Sequence, residues 1–151
     1  MFYEDLSNYC YYLKTPVATV RNVGWLEKDQ PYKTGKVLDG FLLKLSNIIL
    51  GNGSVDAQVN RIRSAHPCAL SDCGTLEIEV NGRRDTLGAA EIWIPSKDGS
   101  DFFAAPSLVY HYVVKHSYLP PEEFVSAVMS FDLSMAYKAQ DIYLNEIKGH
   151  F

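Results

Sequence analysis

The sequence predicts an α+β fold, an antiparallel sheet with helices packed against it. Two observations carry this expectation. Residues 75–105 hold short alternating or β-branched runs separated by tight-turn signals, and read as an antiparallel meander. From residue 106 onward, apolar residues recur at helical spacing between prolines. The 151 residues suit one domain spanning 1–151, with 130–151 as a C-terminal helical extension. A domain of this size can bury most of its apolar surface without staples.

The elements follow in chain order. EDLSNYCYYL at 4–13 is rich in aromatics and can form a strand or a short helical turn. VATVRNVGWL at 17–26 is rich in β-branched residues and reads as a strand. Its Gly24 is expected to admit the Trp25 ring at close range. Pro31 and Gly35 mark a loop. VLDGFLLKLSNIIL at 37–50 puts Leu38, Phe41, Leu42, Leu45, Ile48 and Ile49 on one helical face, and Gly51 ends it. TLEIEV at 75–80 alternates as a half-buried strand does, and Asn81-Gly82 is a two-residue hairpin signal. LGAAEIWIP and DFFAA supply two further strands across the KDGS turn. A helix is expected from Pro106, stopped by Pro120-Pro121. A second begins at Glu122 and Glu123, whose charges suit a helix N-terminus. A third begins near Ser134, with Met135, Ala139, Ile142, Tyr143 and Ile147 along one side.

Composition bounds the function. Hydrophobic content of 47% and charged content of 21% are ordinary for a globular protein. Ten tyrosines suit half-buried and interfacial positions, because the ring packs while the hydroxyl stays bonded. A net charge of −4 argues against direct nucleic-acid binding and permits a basic partner. No run of eighteen apolar residues suggests a membrane span, and the N-terminus lacks the basic start of a secretory signal. The expected location is therefore the cytoplasm. Three cysteines, an odd number, do not suggest a disulfide framework in that reducing setting.

HPCALSDC at 66–73 gathers one of four histidines and two of three cysteines within eight positions. Two readings stand. Cys68 and Cys73 can be metal ligands, since zinc prefers thiolate and imidazole and a structural site needs four. His111 is then the expected third ligand, because it lies off the most apolar stripe of its helix. His66 or His116 completes the set. Alternatively, the thiols are small buried hydrophobes in an ordinary turn, and His116 is a core histidine near a helix C-terminus. His111 and His116 are five positions apart, about 140° on a helical wheel, so they do not form an i, i+4 clamp.

Several phrases together carry a resemblance. DLSNYCYY at 5–12, NVGWL at 22–26, HPC at 66–68 with Cys73, LGAAEIWI at 87–94 and FAAPSLVYHYVVKHSYLPPEEFVSAV at 103–128 occur in this order. The chain resembles, over about residues 4–129, a family of small bacterial proteins without an assigned reaction. The resemblance implies a stand-alone cytosolic domain and, through the neighbourhood of polymorphic toxin genes, an immunity role for some members. The commoner form of the knuckle has two residues between its cysteines, where this chain has four.

Catalytic signatures are thin. The chain has no Gly-x-Ser-x-Gly elbow, phosphate loop or His-Glu-x-x-His motif. The leading expectation is an intracellular binding protein that neutralises a cognate bacterial toxin by direct protein–protein contact. Asp29, Asp56, Asp72, Glu77, Glu79, Asp98 and Asp101 are acidic positions that can meet a basic toxin domain or serve as ordinary solubilising charge. The alternatives are a small zinc- or cysteine-dependent enzyme and a structural zinc interaction module.

Overall fold

The chain forms, in order, β1 (Asn8–Tyr9), β2 (Val17–Asn22), α1 (Phe41–Leu50), β3 (Val55–Asp56), β4 (Gln58–Val59), β5 (Glu77–Val80), β6 (Arg83–Thr86), β7 (Glu91–Pro95), β8 (Phe102–Pro106), α2 (Val109–His116), α3 (Glu122–Ser130), β9 (Tyr137–Lys138) and α4 (Ala139–Glu146). These come from a computed structural model describing residues 1–151. The α+β class predicted from the sequence holds. The main sheet has the order β1-β2-β8-β7-β4. Three of its pairings are antiparallel, while β2 runs parallel to β8.

Strand parity explains the layers. Ile92 and Ile94 of β7, with Phe103 and Ala105 of β8, enter a 25-residue core cluster that includes Phe41, Leu45, Ile48, Phe124 and Val128 from α1 and α3. Trp93 and Ala104, one residue out of phase, enter a second cluster of 11 residues with Tyr9, Trp25, Ala139, Tyr143 and Ile147. The sheet therefore buries both faces, with α1, α2 and α3 on one and α4 with the N-terminal segment on the other. The C-terminal residues supply Ala139, Tyr143 and Ile147 to the second core, where the Tyr143 ring meets Trp93 edge-on at 5.3 Å.

The meander is corrected in its pairing. Asn81 and Gly82 do form the tight turn, both at positive φ (52° and 79°) as a type I′ hairpin needs. The returning strand is the charged Arg83–Thr86, and β5 with β6 makes a separate two-stranded sheet. Three element boundaries also move. α1 starts at Phe41, because Gly40 precedes it at φ +84°. Pro106 belongs to β8, paired with Glu91, and α2 begins only at Val109. Ser134 does not cap a helix; Asp132 accepts its backbone N–H at 2.9 Å in a turn, and α4 begins at Ala139. Gly24 admits Val109 at close range: a Cβ there would lie 2.7 Å from Val109 Cγ2. No helix is long and apolar enough to cross a membrane.

Candidate metal centre

The loop between β4 and β5 is poor in secondary structure and needs other support. Its backbone is tied to neighbouring segments at several points. His66 N–H donates to Gly88 O at 2.9 Å, Lys28 N–H to Ala69 O at 3.2 Å, and Ala69 N–H to the Tyr112 hydroxyl at 3.2 Å. The last bond sets the loop against α2. Ser117 then closes α2 in the left-handed region (φ 54°, ψ 26°), its N–H donating to Tyr112 O.

This docking brings Cys68 and Cys73 from the loop to His111 and His116 from the helix. One ligand atom from each lies within 4.8 Å of the other three. Cys68 Sγ is 3.4 Å from His116 Nε2, and Cys73 Sγ is 3.8 Å from the same nitrogen. Tetrahedral zinc with ordinary Zn–S and Zn–N bonds separates a sulfur from a nitrogen by about 3.5 Å. The observed separations bracket that value, so Cys68, Cys73 and His116 need little movement to share an ion, and His111 lies within 4.8 Å of them.

Burial and bonding add to the geometry. Cys68 and His111 are buried, at 7% and 8% exposed. His111 Nε2 is buried with no hydrogen-bond partner, which is costly for a polar atom unless something occupies it. Burial holds the His111 pKa below its ordinary value, and the neighbouring His116 and Lys115 charges push the same way. A ring kept neutral can coordinate a metal. Ser71 Oγ lies 3.1 Å from Cys73 Sγ, a contact suited to orienting a thiolate.

The sequence-derived ligands are partly brought together. Cys68, Cys73 and His111 converge, and the fourth member is His116. His66 is exposed and lies outside the cluster, its backbone tied to Gly88. The wheel angle between His111 and His116 describes Cβ directions, whereas the rings sit beyond further rotatable bonds. Their centroids approach to 5.1 Å.

The acidic positions are mostly engaged within the chain. Arg84 bonds Glu79 at 2.8 Å and lies 3.8 Å from Glu77, and Arg21 lies 3.5 Å from Asp101. Asp98 accepts from Ser100 and Ser96, and the Ser100 bonds above all draw its pKa down to about 2.

Sequence reasoning did not single out Glu91. It is 3% exposed and accepts from Tyr9 Oη at 2.7 Å, Asn60 Nδ2 at 2.6 Å and Trp93 Nε1 at 3.1 Å. Burial raises its pKa, against the lowering effect of those three hydrogen bonds. The available signal was one carboxylate in the otherwise apolar run LGAAEIWIP.

A family model described as a domain of unknown function, DUF7919, matches residues 1–129. No curated protein and no solved structure matches the chain.

Proposed function

The chain belongs to the DUF7919 family, and we propose that it is a zinc-clipped binding module that acts by contact with a protein partner. The convergence of Cys68, Cys73, His111 and His116, with His111 Nε2 buried and without a hydrogen-bond partner, supports the zinc reading. Two thiolates and two imidazoles are soft-to-borderline donors, the set that zinc prefers. Four protein ligands close a tetrahedral site. A catalytic zinc keeps one position open for water or substrate, so the arrangement favours a structural role. The ion would clip the loop before β5 to the end of α2.

In its specific form, the proposal is that the partner is a basic toxin domain and that the protein acts as its immunity protein. The acidic balance of −4 and the resemblance described above support this. Two separate experiments test the two halves. Elemental analysis of protein free of affinity-tag histidines should find about one zinc per chain, lost in Cys68→Ser. Metal-free protein that folds and melts normally would sink the zinc reading. For the partner, each neighbouring open reading frame is expressed in a host with and without this gene. Toxicity that only this gene relieves supports the immunity role; no toxic neighbour, or unrelieved toxicity, refutes it.

A further inference from the structure

A cavity of about 240 Å³ opens between the N-terminal segment, the loop before β5 and the start of β7. Pockets for drug-sized ligands are typically about 300–1,000 Å³, so this one fits a small molecule or a single side chain. One wall is aromatic, made by Tyr11, Tyr12 and Trp25. The Tyr11 centroid lies 3.9 Å from that of Tyr12 and 5.3 Å from that of Trp25. Trp25 is fixed by its Nε1, which donates to Ala104 O at 3.0 Å. Tyr12 sits at φ +66° with 63% of its surface exposed. A bulky side chain seldom adopts that conformation, and such strain concentrates where a ligand is clamped.

The same cavity reaches Asn60 and the buried Glu91. The three donors to Glu91 come from tyrosine, tryptophan and asparagine side chains, all uncharged. It takes part in none of the chain's ion pairs. The titratable groups whose charge couples to it are the hydroxyls of Tyr3, Tyr9, Tyr11 and Tyr143, which supply no positive charge. Buried carboxylates are ordinarily paired with a cation. Here the carboxylate is built in, together with the rings that attract cations, and no cation of the chain pairs with it: the Met1 ammonium, which also borders the cavity, is paired with Glu27 at 3.0 Å.

We propose that this cavity binds an organic ammonium ion, its charge paired with Glu91 and its alkyl groups lying against Tyr11, Tyr12 and Trp25. Ring faces attract such ions electrostatically within about 6 Å. The ammonium can belong to a free small amine or to a lysine side chain of a protein; the recognition chemistry is the same. The inference does not rest on the zinc reading, since the rings and the carboxylate come from other elements. Pro67, Ala69 and Tyr112, which flank or follow the metal ligands, form a further wall.

The test titrates the full chain with choline, n-butylammonium and an end-capped trimethyllysine peptide, read by tryptophan fluorescence and calorimetry. The comparator is 3,3-dimethyl-1-butanol, the neutral carbon analogue of choline. At least one cation should bind saturably, with the neutral analogue roughly tenfold or more weaker. Glu91→Gln should weaken binding by a similar factor. Tyr12→Ala, at an exposed position, should weaken it with the melting temperature unchanged, which separates recognition from folding. Tighter binding of the peptide assigns a protein side chain, and tighter binding of the free amines assigns a metabolite. The proposal is overturned if no cation saturates, if the neutral analogue binds equally well, or if either variant binds as the wild type does.

Discussion

Removing zinc should lower the melting temperature by an amount that the topology sets. Cys68 and His116 are 48 positions apart. An ion joining them restricts the unfolded chain much as a cross-link does, and a loop of that length corresponds to about 4 kcal/mol at 25 °C. For a chain of 151 residues, each kcal/mol moves the midpoint by roughly 2–4 °C, so stripping zinc should lower it by about 8–16 °C. The assay is scanning calorimetry of the zinc-loaded protein with and without a strong chelator, repeated on Cys68→Ser. The variant should melt near the chelated wild type and show little further response to chelator, because both lose the same clip. Equal midpoints with and without chelator would refute the reasoning. A chelator response retained in full by Cys68→Ser would refute the ligand assignment.

Three further outcomes are expected. The folded-state pKa of Glu91 lies above its ordinary 4.5, chiefly through burial, so above pH 4.5 and up to the raised value the native state holds more protons than the unfolded one, and stability falls as pH rises through that window; the Tm difference between Glu91→Gln and wild type should therefore shift in favour of glutamine as pH rises above 4.5, and a pH-independent difference would refute a raised pKa. Gly88 stands at φ +95°, where a Cβ would lie 2.2 Å from His66 O, so Gly88→Ala should cost roughly 2 kcal/mol or more by urea denaturation, and a neutral result would mean that the loop is not held there. Tyr143 is 7% exposed and stacks edge-on against Trp93, so Tyr143→Ala should cost about 3 kcal/mol and alter the near-ultraviolet circular dichroism of the tryptophans; an unchanged midpoint would show that α4 contributes nothing to the second core.

Local chemistry was legible where it acted alone. Asn81-Gly82 turns the chain because both residues accept positive φ, whatever lies around them. Pro121 starts α3, and Glu122 and Glu123 occupy its first turn, as their types require. Pairing was less legible, because partners are chosen across the fold. TLEIEV alternates like a sheet strand, yet its partner RRDT is charged, and that hairpin covers the first core through Ile78, with neighbouring Leu76 and Leu87. EIWIP gave no alternation at all. Such a run marks a strand covered on both faces, and the second cover comes from α4, more than forty residues later by the numbering. Nothing between Glu91 and Pro95 announces that helix.

The metal cluster shows the same division. The two cysteines were legible because they lie in one loop, and thiols so close that form no disulfide are either ligands or buried apolar groups. Choosing the histidines required knowing how the loop docks. His66 is nearest in sequence, but its backbone is committed to Gly88 through the 2.9 Å bond, and its side chain is exposed. His116 is 48 positions from Cys68 and about 140° from His111 on the helical wheel. It qualifies because it is the last residue of α2, where Ser117 turns the chain away and the loop packs against the freed end. The bond from Ala69 N–H to the Tyr112 hydroxyl fixes that docking. A tyrosine hydroxyl one turn before His116 thus decides which histidine joins the two thiols and His111, which neither ligand spacing nor helical periodicity could do.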